Sequence, residues 1–351
     1  MQRKTKSVTF LIGNGFDLNL GLKTRYVDMY KDYIYSPSNN QDIAKFKDLL
    51  NADAPGYETW SDFEMAMARH AKSFDNPNSF VVCARDFRRY LSEYLQKQNA
   101  QFQKLYKGTS DSAPICINEF NNSLLRFYQN QTPNVTNAIQ ESLASINGVR
   151  YNFIIYNYTT ILDQVVDARL AWGPPIDVDL IHIHGRIGKD IALGVDNTYQ
   201  LKNTPFIITP QLERAFVKPS FNHSYDSARV ERAIEMIDES SVICIYGMAL
   251  GESDKMWRDL LIDWLKVDIA HHLVYYSYSE KDYSRSYPDE IMDDEDELKQ
   301  QLLTRICDDV TLVPEIIGRV HIPIGQSIFN FKQMLQTPPP LPKTMGSLKS
   351  M

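Results

Sequence analysis

Five apolar runs constrain this chain most: Val8–Ile12 (VTFLI), Asn152–Tyr156 (NFIIY), Asp179–His184 (DLIHIH), Ser241–Tyr246 (SVICIY) and His272–Ser277 (HLVYYS). Each is too short for a stable helix and rich in β-branched or aromatic residues, the pattern of a buried strand. Helical periodicity follows several of them, over Thr160–Leu170, Ser253–Lys266 and Asp294–Cys307. Strands alternating with helices build a parallel sheet covered on both faces. Arg319–Ile322 is expected to add an edge strand. The fold class is therefore α/β, a Rossmann-type parallel sheet.

Between the first run and the second the chain changes character. Thr24 offers a capping hydroxyl ahead of Tyr26, Met29, Tyr30 and Tyr33, which lie at helical spacing. Helical periodicity then dominates, over Ser61–Phe74, Ser79–Tyr106, Ile115–Asn130 and Asn134–Ile146, with Pro77, Gly108 and Pro133 as breakers. The organisation predicted is an α/β domain from 1–35 and 149–336, a helical insertion at 36–148, and a flexible Pro-rich tail at 337–351. An insertion so placed would cover the site or mediate assembly into a homo-oligomer.

Composition narrows the function classes. The 351 residues carry 37 Lys and Arg against 44 Asp and Glu, a formal charge of −7, so the chain is not built to coat nucleic acid or an anionic membrane. Its four cysteines, at 83, 116, 244 and 307, lie far from metal-ligand spacing. Cys83, Cys116 and Cys244 read as small buried hydrophobes, and sparse unpaired cysteine suits a reducing compartment. The apolar stretch near the N-terminus is only Val8 to Ile12, and no window nears the ~20 apolar residues needed to span a bilayer. The expectation is a soluble, cytoplasmic protein with no membrane partner. Seven acids in Asp289–Glu297 read as a solvated loop and helix start, with a divalent-ion site as the alternative.

Four clusters fall at or just past the C-terminal ends of the predicted strands, where open α/β sheets bind ligands. Gly13-Asn14-Gly15-Phe16-Asp17 allows close backbone approach to a phosphate, although Leu18 breaks the GxGxxG spacing, and a tight strand-to-helix turn is the alternative. Tyr156-Asn157-Tyr158-Thr159-Thr160 places a neutral amide, Asn157, at a strand tip; it either holds a water or ribose hydroxyl or caps the next helix. In His182-Ile183-His184-Gly185 the second histidine ends the strand and suits general-base work, whereas His182 lies deeper and reads as a core histidine. Gly247, Met248 and Ala249 open a turn whose N–H groups suit a second phosphate or a ribose, with Ser253 or Asp254 capping the next helix. This rim carries neither a Ser/His/Asp set nor paired carboxylates, which disfavours an esterase or an ordinary glycosidase. A phosphate-bearing nucleotide is the ligand class that fits.

The chain resembles the AbiH family, named for bacteriophage abortive infection. The matching segments are FLIGNGFDLNLGLKTRY (10–26), WSDFE (60–64), YNYTTILD (156–163), HIHG (182–185), LGVD (193–196) and YGMALGESD (246–254). That family in turn is similar to the sirtuin-type NAD-binding fold. Gly13-Asn14-Gly15 stands where sirtuins carry GAG, and Gly21-Leu22 near their GIP segment. Asn157 matches the Asn of their NID element, His184-Gly185 their His-Gly pair, and Gly247 to Leu250 their GTSL turn. Thr159 stands where NID has Asp and Tyr26 where GIP continues to Arg, and the zinc-ribbon cysteines are missing, so no deacylase channel is implied.

The resemblance implies an antiphage protein that hydrolyses NAD or a related nucleotide at the nicotinamide–ribose bond, in response to a phage-derived trigger. Asn157 and His184 would be catalytic. Gly13, Asn14, Gly15, Phe16, Asp17, Thr159, Gly247, Met248 and Ala249 would hold the nucleotide, which is substrate rather than resident cofactor, and no metal is expected. The alternative is a non-catalytic nucleotide-sensing, oligomerising module. A nucleic-acid toxin rests only on Phe87–Tyr90 (FRRY) with Arg85 and Lys97, a stretch that also reads as an exposed helix face. Trp60 and Phe63 read as packing residues, and Glu64 reaches the site only if the insertion folds over it.

Overall fold

A computed structural model describes residues 5–336 apart from 53–59, 107–111, 130, 146–147, 173–175, 202, 252–253, 278–280, 282 and 284. The strands are β1 (Lys6–Ile12), β2 (Val149–Ile155), β3 (Val178–His182), β4 (Val242–Tyr246), β5 (His272–Tyr276) and β6 (Val320–His321). They form one six-stranded sheet in the order β3-β2-β1-β4-β5-β6, and every pairing is parallel. Strand order reverses between β1 and β4, which makes their C-terminal ends the topological switch point. The expected α/β class with an all-parallel sheet is what the chain adopts.

The helices are α1 (Gly15–Asn19), α2 (Tyr26–Tyr35), α3 (Gln41–Ala52), α4 (Trp60–His70), α5 (Pro77–Tyr106), α6 (Ser112–Arg126), α7 (Pro133–Leu143), α8 (Ile161–Trp172), α9 (Pro210–Phe216), α10 (Lys218–Tyr225), α11 (Ala228–Asp238), α12 (Lys255–Val267), α13 (Pro288–Ile306), α14 (Val313–Ile316) and α15 (Phe331–Gln336). One face of the sheet, with Phe10, Phe153 and Tyr246, packs against Phe120 and Phe127 of α6 and its end, Ile139 of α7 and Val165 of α8. The other face, with Leu11, Ile154 and Ile245, packs against Ile237 of α11, Trp257 and Leu261 of α12 and Leu303 of α13. Burial on both faces explains why the strands read as unbroken apolar runs. A third core joins α2–α5 to the 191–195 segment and α9. The 30-residue α5 serves two cores: Phe80, Phe87 and Leu91 lie in the third, while Phe102 lies against the sheet.

Several local expectations change. Thr24 does not cap α2, whose N-cap is Arg25; the Thr24 hydroxyl donates instead to Asn14 Oδ1 at 2.7 Å. Pro77 and Pro133 start helices rather than separate them, because the first helical turn leaves its N–H groups unused. Helix α3 and the three helices α9–α11 are additional to the sequence reading. The acids at 289–297 lie inside α13, and among the described residues no group of three His, Cys, Asp or Glu is placed to hold a metal ion. The predicted tail at 337–351, Gly108 and Ser253 lie outside the described residues. All four cysteines are free and buried.

Candidate active site at the carboxyl edge of the sheet

At the switch point two glycine turns interlock. Gly13 N–H donates to Tyr246 O at 2.9 Å, and Gly15 N–H to Gly247 O at 2.8 Å. A Cβ on Gly15 would stand 2.4 Å from Gly247 Cα, so only glycine lets the backbones approach this closely. These two N–H groups are thus engaged inside the fold rather than facing a phosphate. Asn14 is tied to Thr24 through both side-chain atoms, and Phe16 is core, edge-on to Phe329 and Phe331. Met248 is buried, its carbonyl accepting from Tyr275, and Ala249 is exposed at the tip of the turn.

Behind these turns lies a buried triad. Asp17 accepts from the Thr159 hydroxyl at 2.7 Å and from Asn157 Nδ2 at 3.1 Å, and the same Nδ2 lies 3.2 Å from Thr159 Oγ1. Burial pushes the Asp17 carboxyl up to about 7, against these two hydrogen bonds. Neither capping nor an open ribose contact describes Asn157 fully. Its amide nitrogen is held by Asp17, whereas its Oδ1 is buried with no hydrogen-bond partner. A buried acceptor left unmet is a cost that a ligand hydroxyl or water would relieve.

His184 follows β3 on the adjoining tip. Its ring stands edge-on to Tyr156 at 5.4 Å and is hydrogen-bonded to the Tyr156 main chain. Burial, with the nearby cations of Lys218 and Arg229, holds its pKa well below the usual value, so the imidazole is neutral at physiological pH. His182 is the core histidine expected, bonded to Asp163 Oδ2 at 2.8 Å and to Asn157 O at 3.2 Å. Among the described residues no hydrogen bond joins His184 to the Asp17–Asn157–Thr159 triad; adjacent strands bring the two groups to one edge.

Around His184 and Tyr156 the chain gathers charge from distant segments. Glu64 of α4 is buried, accepts from Lys218 Nζ at 2.7 Å and from Gly194 N–H at 3.2 Å. Helix α4 thus joins the 194 and 218 segments through Glu64. Lys218 is buried too; burial opposes its charge, but Glu64, Asp196 and Asp254 outweigh that and hold it protonated. Asp196, in the LGVD segment, is pushed up to about 7 by burial, with Asp254 and Glu64 adding to it against Lys218. Asp254 Oδ2 accepts from Gly251 N–H at 2.9 Å. The Asp196 segment is pinned by Val195 N–H to Phe216 O and by Lys218 N–H to Val195 O. Sequence reasoning missed Asp196 and Lys218 as site residues, and saw Asp254 only as a cap. The signal available for Asp196 was its place in LGVD; Lys218 had none.

The FRRY stretch divides: Arg89, with Arg85 and Lys97, lies on the exposed helix face expected, and the rest packs. Phe87 is fully buried, and Arg88 donates to Ala215 O while lying 5.6 Å over the Phe221 ring. Phe63 stacks on Tyr26 at 3.8 Å, as a packing residue should; the Trp60 side chain lies outside the described residues. No helix among the described residues is long and apolar enough to cross a membrane.

The family model described as "Bacteriophage abortive infection AbiH" matches residues 9–276. No curated protein matches the chain. The family match covers well over half of the 351 residues and runs from within β1 to the end of β5. The chain belongs to the AbiH family.

Proposed function

We propose that this AbiH protein, whose family implies an antiphage abortive-infection role, acts by binding NAD or a related nucleotide at the carboxyl edge of its sheet and hydrolysing the nicotinamide–ribose bond. The observation that carries the reading is the pairing, on adjacent strand tips, of an unmet buried acceptor, Asn157 Oδ1, with a histidine kept neutral. The sirtuin-like character expected from the sequence belongs to this proposal. So does the pyrophosphate, which would lie over the outer side of the joined turns at Met248 and Ala249.

In the reaction the C–N bond breaks and its electron pair leaves with nicotinamide, which departs neutral and needs no general acid. Charge develops on the ribose as an oxocarbenium-like state. Water oxygen bonds to the ribose carbon, and His184 takes the water proton, for which a neutral imidazole is required. Asn157 Oδ1 orients that water. Nearby carboxylates Glu64, Asp196 and Asp254 favour the developing cation.

The test is cellular NAD by mass spectrometry, with and without phage, in cells expressing wild type or His184→Ala. NAD should collapse in wild type alone. Unchanged NAD with protection intact would overturn hydrolysis. It would favour the nucleotide-sensing module, which one observation also supports: Asn157 Nδ2 and Thr159 Oγ1 are already committed to Asp17.

A further inference from the structure

Two further polar atoms on this edge are buried without a hydrogen-bond partner: the Tyr156 hydroxyl and Asp196 Oδ2. Tyr156 is 7% exposed. Its ring makes edge contacts with His184, at 5.4 Å, and with Trp257, at 5.6 Å. Ala192 N–H donates to His184 O at 2.8 Å and Lys218 N–H to Val195 O at 2.9 Å, which ties the Asp196 segment to the His184–Tyr156 tip, and the charges of Asp196 and Asp254 act on the phenol. Asp196 and Asp254 are half-buried as residues, while Asp196 Oδ2 itself is buried.

The chemistry selects the occupant. An anion is disfavoured, because the three acids Glu64, Asp196 and Asp254 face it against Lys218 and Arg258. A metal ion lacks ligands, since no three such groups among the described residues are arranged to hold one. An apolar group would leave both polar atoms unmet. What satisfies a phenol and a carboxyl together is a neutral ligand with two adjacent groups that both donate and accept. A vicinal diol is that ligand, and acidic residues commonly hold ribose hydroxyls this way.

We infer that Tyr156 and Asp196 form the subsite for the vicinal diol of the ribose that bears the scissile bond. This rests on the nucleotide reading and adds its substrate contacts. It places that ribose beside His184, whose ring Tyr156 touches. It also explains why two buried polar atoms are left unsatisfied: the fold keeps them for the ligand and gives up some stability to do so.

The experiment is calorimetric titration of wild type, Tyr156→Phe and Asp196→Asn with ADP-ribose and with ADP, which lacks the second ribose. Wild type should bind ADP-ribose at least about tenfold more tightly than ADP, the yield of one or two added hydrogen bonds to a charged site. Each variant should erase that difference and leave ADP binding as it was. Ligand-free Tyr156→Phe should melt at or above the wild-type temperature, because it loses a buried unmet group. A variant that keeps the ADP-ribose preference overturns the subsite, as does one that melts lower and loses both ligands equally. Nicotinamide alone binding in a Tyr156-dependent way would assign the cluster to the carboxamide instead and also overturn it. Wild type binding neither ADP-ribose nor ADP would overturn the nucleotide reading itself, and this inference with it.

Discussion

Replacing Gly15 by Ala tests the interlocked turns. The new Cβ would stand 2.4 Å from Gly247 Cα and 3.0 Å from Gly247 O. Carbon atoms prefer ~3.5–4 Å, so the turns must part by more than about 1 Å. That movement lengthens the Gly15–Gly247 hydrogen bond from 2.8 Å to beyond bonding range and weakens Gly13–Tyr246 at 2.9 Å. The lost bond and the weakened one together cost up to about 2 kcal/mol, and overpacking adds about 1–3. The sum is about 2–5 kcal/mol. Unfolding entropy of about 2.1 cal/mol/K per residue over 351 residues turns this into a melting-temperature drop of about 3–7 °C. Two controls separate the causes. Gly318→Ala has nothing within 4 Å and no positive φ, so it should be near neutral. Gly148→Ala also has open space but a φ of +79°, and should cost about 1–2 kcal/mol from conformation alone. Scanning calorimetry of the three variants reads the order directly. If Gly15→Ala melted within about 1 °C of wild type, level with Gly318→Ala, the close contact would be refuted.

Other outcomes follow from buried charge. Glu64→Gln should destabilise by about 3–5 kcal/mol in urea titration, because Lys218 loses its ion-pair partner in the interior, and adding Lys218→Met should restore part of the loss. Asp17 is raised from 3.8 to about 7, so its stabilisation is complete below 3.8 and is lost as pH rises through 7, roughly 4 kcal/mol in all; Asp17→Asn should flatten the urea midpoint measured from pH 4 to 7.5. His321 runs the other way. Burial, with His272 at 3.0 Å and Lys299, lowers it from 6.5 to about 3, so stability holds above 6.5 and drains as pH falls towards 3, and His321→Gln should lose less between pH 6 and 4.

The strands were legible because each is covered on both faces, so burial wrote itself into the sequence as continuous apolar runs. Helix α3 was not, since QDIAKFKDLLNA carries its apolar face on only a few positions between charges. Helices α9 and α10 are short and begin at prolines or beside them, which locally read as breaks. Thr24 shows how a local rule loses to a distant partner: Asn14 takes the hydroxyl that would have capped α2. At the site, Asn157 and His184 could be picked out as polar residues at strand tips. Their contacts could not, because Glu64 meets Lys218 across 154 positions and Asn157 meets Asp17 across 140. No periodicity encodes such meetings; they exist only once the sheet is assembled.

Helix α5 carries a mechanical consequence. Thirty residues span about 45 Å, and from Asn78 to Tyr106 the helix contains neither Gly nor Pro. It is a beam with no built-in joint, embedded at one end among α2–α4 and at the other against the sheet. About three-quarters of the way along, its Gln98 Oε1 accepts from Lys23 N–H and its Asn99 Oδ1 from Thr160 N–H, so the beam grips the loops flanking both Asp17 and Asn157. A load applied at the far end cannot be absorbed by bending and arrives at those two loops as a tilt.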